Sequence, residues 1–272
     1  MSNLKSIFAA GVISLAVASC NILTQPANAG LFLSPMYLKM ELKQGQSKGV
    51  IQVGNTSPKP IRVRLYLTGF TYSKNGVFQR RDSLNKKGQT RSDDLTPYLR
   101  YSPREMVIPG NSSRRIRLIG LLPPSFPDGE YRTAIFAETL QEKTNSQGRK
   151  VGLNISIGSA LYVTKGEVAP HISVAEASFN SENKSLNLLV ANEGTATAKG
   201  EIDWVLKQGK EVVGSGKSGG SFLPDSQTNL ELNRQRNKEL SLEPGVYQLE
   251  GKIIWERSDE QEVFDFDFEI EL

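Results

Sequence analysis

The chain is poor in the residues that carry most enzyme chemistry. Of its 272 residues one is a cysteine, Cys20, and one a histidine, His171. A single thiol excludes a disulfide framework and a CxxC redox pair, and one imidazole beside it excludes a His/Cys zinc cluster. His171 follows Pro170 with no second His or Cys to join it, so imidazole-based catalysis would rest on this residue alone. No nucleophile elbow, phosphate loop or dinucleotide fingerprint occurs. Long basic runs are missing too: 33 Lys+Arg against 29 Asp+Glu leave a net charge of +4, which does not point to nucleic acid. The expectation is a protein that is no enzyme and uses no cofactor and no metal.

What is present begins with a leader. Lys5 precedes an apolar stretch, residues 7–17 (IFAAGVISLAV), that is too short to span a bilayer comfortably. Ala27-Asn28-Ala29 has the small-x-small form that a leader peptidase cleaves, giving a signal peptide over 1–29. Val17-Ala18-Ser19-Cys20 also has the shape of a lipobox, in which Cys20 would be lipidated. Both readings export the protein.

Beyond the leader there is almost no helical period. Ile61, Val63, Leu65 and Leu67 alternate with Arg62, Arg64 and Tyr66. Phe264, Phe266, Phe268, Ile270 and Leu272 alternate with Asp265, Asp267, Glu269 and Glu271, which predicts a strand with one apolar and one solvated acidic face. A line of such carboxylates is spread along a strand rather than around a point, so it does not read as a calcium site. Asn75-Gly76 is a hairpin dipeptide, and Pro109-Gly110, Asp128-Gly129 and Pro244-Gly245 punctuate further runs. Many short strands argue an all-β protein of sandwiches. A break at 165–170 (KGEVAP) divides it into a domain at 30–166 and a second at 167–272. Trp204 and Trp255 read as core of the second. The basic stretch 80–94 reads as an exposed loop of the first. Val53-Gly54-Asn55-Thr56 and Val190-Ala191-Asn192-Glu193-Gly194 echo one another as strands ending in an Asn turn.

Three segments carry a resemblance: 50–67 (VIQVGNTSPKPIRVRLYL), 102–118 (SPREMVIPGNSSRRIRL) and 122–132 (LPPSFPDGEYR). In order and spacing they resemble the PapD-like periplasmic chaperones of chaperone–usher pilus assembly. The resemblance implies two immunoglobulin-like β-sandwich domains in a boomerang arrangement, after an N-terminal signal peptide. It implies a periplasmic chaperone that caps pilus or fimbrial subunits by donor-strand complementation, a form of strand addition, and delivers them to an outer-membrane usher. Its partners would be pilin-like secreted subunits and the usher, with self-association when client-free.

The residues supply a candidate donor strand. Within 150–161 (KVGLNISIGSAL), Val151, Leu153, Ile155 and Ile157 fall on one face and Gly152, Asn154, Ser156 and Gly158 on the other. Four such side chains, fully buried in another protein, are worth on the order of 6–12 kcal/mol before association costs of similar size. The same row fits equally a strand that faces its own core. The resemblance further implies two cations that anchor a subunit's terminal carboxylate. Lys39 falls at the first position, where a solvated lysine on an amphipathic strand is the plain alternative, and the second falls at Gly158, which has no charge. Glu130 matches a glutamate of an inter-domain ion pair, with Lys165 as its basic partner. The alternative function is an exported structural or adhesive immunoglobulin-like protein, as a lipoprotein through Cys20.

Overall fold

The computed structural model describes residues 30–81, 91–140, 142–144, 150–152, 154–233, 240–257 and 260–272. The leader, Cys20 and Leu153 lie outside them, as do the side chains of 142–144 and 150–152.

Among the described residues the structure is all-β, built on two large hydrophobic cores. Twelve strands surround the first: β1 Leu31–Ser34, β2 Tyr37–Glu41, β3 Gln46–Asn55, β4 Ile61–Tyr72, β5 Phe78–Arg81, β6 Leu99–Ser102, β7 Glu105–Ile108, β8 Ser112–Leu121, β9 Gly129–Thr139, β10 Glu142–Thr144, β11 Lys150–Gly152 and β12 Ser156–Lys165. One sheet runs β1-β3-β8-β6 and the facing one β2-β12-β9-β4-β5, with β7 also on β4 and a small β10–β11 ribbon. Ile51, Val53, Val63, Ile116, Ile135, Leu161 and Val163 meet between the sheets, each essentially inaccessible. Seven strands surround the second core: β13 Ile172–Asn180, β14 Ser185–Asn192, β15 Ala198–Gln208, β16 Glu211–Phe222, β17 Ser226–Glu231, β18 Val246–Arg257 and β19 Glu260–Glu271. They form the sheets β13-β14-β17 and β16-β15-β18-β19.

The alternation read from the sequence is what the sheets use. On β4, Ile61, Val63 and Leu65 are buried and Arg62 and Arg64 exposed; on β19, Phe266 and Ile270 are buried while the intervening carboxylates face solvent. Trp204 and Trp255 belong to the second core. Asn75-Gly76 turns the β4–β5 hairpin, with Gly76 at φ 69°, a conformation glycine adopts at no steric cost.

The asparagine echo is a repeated corner. Asn55 Nδ2 donates to Lys59 O, four residues on, and to Ile108 O and Pro109 O, while its Oδ1 accepts from Ser57 N–H. Asn192 Nδ2 likewise donates to Ala196 O, four residues on, and to Phe222 O, and its Oδ1 accepts from the N–H groups of Gly194 and His171. A second pair of corners is equally matched: Tyr131 donates its hydroxyl to Pro127 O at 2.7 Å, and Tyr247 to Glu243 O at 2.8 Å. A tyrosine tied to backbone a few residues upstream is a mark of immunoglobulin-like sandwiches.

One expectation is corrected here. Arg80 and Arg81 do not sit in a solvated loop; they complete β5, because the Arg80 guanidinium stacks on Phe136 and Arg81 pairs with Asp93 at 2.7 Å. Asp93 and Asp94 lie against β9, where Arg132 N–H donates to Asp93 O. Residues 82–90 of that stretch lie outside the described residues.

Each buried asparagine ties several backbone carbonyls together at its corner. Asn55→Ala and Asn192→Ala should each cost about 2–4 kcal/mol, read as a drop in the urea midpoint. Tyr131→Phe, which loses a single hydrogen bond, should cost about 1 kcal/mol.

Candidate functional site

Strand β12 is paired unequally on its two sides. Along one side the β9 ladder is continuous from Ser156↔Glu138 to Lys165↔Gly129. Along the other, β2 joins it in parallel only from Ala160↔Tyr37 to Thr164↔Glu41. Thr139 N–H donates to Ile155 O on the β9 side, whereas Ala160 N–H donates to Met36 O on the β2 side. Odd-numbered residues therefore direct their main-chain groups at β9 and even-numbered residues direct theirs away from it. Ser156 and Gly158 thus present N–H and C=O groups to a flank where, among the described residues, no strand lies. A bare flank of this kind is a template for a further strand.

The side chains divide by the same alternation. Ser159, Leu161 and Val163 are buried in the core, and Ile155 and Ile157, beyond the end of β2, are half-buried against its rim. Val151 is on β11, paired with Lys143, so the segment expected as one continuous strand is divided between β11 and β12.

On the opposite face of β12 lies a smaller aromatic core of Phe70, Ala134, Phe136 and Tyr162, flanked by Tyr37, Tyr66 and Tyr72. The Phe136 ring lies over Gly158: a Cβ there would stand 2.6 Å from a ring carbon. That explains why the position where the resemblance calls for a cation holds glycine.

Lys39 and Glu130 share this face at its other end and meet one residue of the second sandwich, Thr197, which is fully buried. Glu130 accepts hydrogen bonds from Thr197 N–H at 3.0 Å and from the Thr197 hydroxyl. Lys39 Nζ donates to Thr197 O at 3.2 Å. The two sandwiches are thus joined by Thr197, with Lys39 engaged in that joint. The partner expected for Glu130 is different: Lys165 turns to the carbonyls of Pro124 and Phe126 instead, because as an odd-numbered residue of β12 it leaves the sheet on the other side. A second bridge lies at the β4–β5 turn, where Asn229 N–H donates to Lys74 O at 2.6 Å.

Beside the joint is a cleft of about 720 Å³ lined by Arg81, Arg91, Asp93, Glu130, Arg132 and residues 195, 224 and 225. Asp93 bridges Arg81 and Arg132 at 2.7 and 2.6 Å. Burial raises the Asp93 carboxyl, but the guanidinium groups of Arg132 and Arg81 outweigh it and hold it below its ordinary value. Glu130 goes the other way. Desolvation pushes it above the ordinary glutamate value, and the hydrogen bonds from Thr197 with the charges of Lys39 and Arg132 offset this only in part.

The sequence did not point to Thr197 or Ser156 as working residues. Thr197 carries no charge, and the openness of a flank depends on where another strand begins, which no local pattern records. Signals for the paired corners did exist, in Gly129-Glu130-Tyr131 and Gly245-Val246-Tyr247.

No model of a known protein family matches the chain, and no curated protein matches it. Solved structures do. A chain of the CsuC–CsuE chaperone–tip adhesion subunit pre-assembly complex, from the archaic chaperone–usher Csu pili of Acinetobacter baumannii, aligns at 14% identity over 89% of this chain and 98% of its own, with a TM-score of 0.50. A structure of the Salmonella enterica SafA pilin with the SafB chaperone aligns at 12% identity over 89% and 96%, with a TM-score of 0.47. The Pseudomonas aeruginosa CupB2 chaperone aligns at 12% over 86% and 98%, with a TM-score of 0.48. The chain has the fold of the fimbrial chaperones, two immunoglobulin-like sandwiches.

The two carboxylates give opposite pH dependences. Because the Glu130 value is raised on folding, its contribution is fully present below the ordinary glutamate range and is lost as pH rises through the raised value. Because the Asp93 value is lowered, its contribution is present above the ordinary aspartate value and is lost as pH falls through the lowered one. Glu130→Gln should therefore flatten the fall in stability just above the ordinary glutamate range, and Asp93→Asn should cost on the order of 2 kcal/mol at neutral pH. Urea midpoints measured across the acid range check both signs.

Proposed function

We propose that this protein is a periplasmic chaperone of fibre subunits that caps its clients by lending them the open flank of β12. The single observation that carries the reading is the outer flank of Ser156 and Gly158, unpaired among the described residues, beside half-exposed Ile155 and Ile157. A subunit lacking a strand in its own sandwich exposes both unpaired main-chain groups and an open core. Main-chain groups at Ser156 and Gly158 answer the first need. Ile155 and Ile157 on β12, continued toward Val151 and Leu153 of the expected row, answer the second. Each main-chain hydrogen bond contributes about 0.5–1.5 kcal/mol net, so affinity rests chiefly on the aliphatic row, and exchange for a better-fitting strand at the outer-membrane usher needs no nucleotide. The role is one of binding rather than catalysis. The likeness to a chain of the Csu chaperone–subunit complex agrees with the reading, as does the leader expected over residues 1–29.

A backbone variant tests this without disturbing the core. Ser156 directs its N–H away from the β9 ladder, so proline there removes a donor from the open flank alone. The Ser156→Pro protein, co-produced with candidate fibre subunits, should keep its thermal melting temperature and lose most of the subunit that co-purifies with the parent chain. Undiminished recovery contradicts strand addition at β12.

A further inference from the structure

Arg80 is an exposed cation held rigidly beside the open flank. It lies on β5, yet its guanidinium carbon stands 4.4 Å from the centroid of the Phe136 ring and 5.6 Å from that of Tyr66. Its Nη2 donates to the Tyr66 hydroxyl at 3.0 Å, and that hydroxyl is 3.3 Å from Ser156 Oγ. Tyr66 and Phe136 are themselves stacked, at 5.6 Å between centroids. A guanidinium stacked on a ring keeps the edge of its fork, and so its remaining N–H donors, free for a planar oxyanion. Among the described ion pairs none uses Arg80. Glu138, an acid on this face of the sheet, is taken by Arg64 at 3.0 Å.

The position of this group matters. Phe136 pairs with Gly158 across the β9–β12 ladder, and its ring leans over that glycine. Since Gly158 has no side chain, nothing on β12 stands between the Arg80–Phe136 shelf and a strand added at the flank. Neighbouring strands lie about 4.8 Å apart, so a glutamate on the added strand, pointing away from the core beside Gly158, reaches the guanidinium. One pleat further along, beside Ser156, the same glutamate would meet Glu138.

We propose that Arg80, mounted on Phe136 and Tyr66, selects among strands laid along β12 for one bearing an acidic side chain beside Gly158. This rests on strand addition at β12 and adds to it a rule of sequence and register.

The test uses the full chain and synthetic peptides of a dozen or so residues, acetylated and amidated so that no terminal carboxylate is present. Valine and isoleucine occupy alternate positions, serine and threonine the others, and one outward position carries Glu, Gln or Lys. Binding is read by fluorescence anisotropy at low and high salt, with Arg80→Gln and Arg80→Lys proteins beside the parent, all checked for unchanged melting. The expected result is that the Glu peptide binds about three- to fivefold more tightly than the Gln peptide and the Lys peptide more weakly than either. Arg80→Gln abolishes that order, Arg80→Lys keeps part of it, and salt compresses it. Equal binding of the three peptides to the parent protein overturns the role of Arg80 and leaves strand addition standing. A preference that survives in Arg80→Gln, or that arises only when the peptide's own terminus is left as a free carboxylate, also overturns it. If no peptide binds the folded parent protein, both inferences fall.

Discussion

The main-chain groups of a sheet edge must find partners, and among the described residues the supply of partners on one side of β12 stops at Ala160. Strand β2 begins too late to cover Ser156 and Gly158, because the chain arriving from β1 makes its first pairing contact at Met36. Everything proposed for the molecule follows from that shortfall. Proteins ordinarily blunt an open edge with charge, proline or a bulge. Here the exposed run carries serine and glycine outward and isoleucine toward the core rim, a composition that leaves the edge usable.

The joint between the sandwiches is built differently, from buried polar groups. Glu130 and Lys39 grip the N–H, hydroxyl and carbonyl of Thr197. A buried glutamate is costly unless its lone pairs are filled, and Thr197 fills them from the other domain, so part of the cost is offset, and only when the sandwiches meet in this register. The Asp93 bridge between Arg81 and Arg132 secures the loop beside it, and the contact of Asn229 with Lys74 adds a second point of attachment. Two separated contacts restrict rotation about either, which keeps the outer face of the β2-β12-β9-β4-β5 sheet in a fixed relation to the second sandwich.

The fold was legible because periodicity is a property of the local sequence. Alternation at Ile61–Leu67 and along β19 dictated which faces are buried, and Asn75-Gly76 dictated a turn. Asn55 and Asn192 also announced themselves, though only the hydrogen bonds reveal that both corners use the same geometry. The site was legible in part. Ile155 and Ile157 stand where the alternating row put them, but whether such a row faces its own core or another protein depends on the length of β2, a tertiary fact. Arg80 was misread as loop because its neighbours in sequence are polar; its stacking partner, Phe136, lies far along the chain. The pairing expected for Glu130 failed on parity: Lys165 alternates to the wrong side of its sheet, and an uncharged threonine took its place.

Site-resolved amide hydrogen exchange on the monomeric protein, alone and then bound to a fibre subunit, reads the state of this edge amide by amide. Fast exchange is expected at Ser156 and Gly158 beside slow exchange at Ile157 and Leu161 in the free protein, and strong protection of Ser156 and Gly158 once a subunit is bound. Slow exchange at those two amides in the free monomer, or no gain in protection on binding, would contradict strand addition at β12.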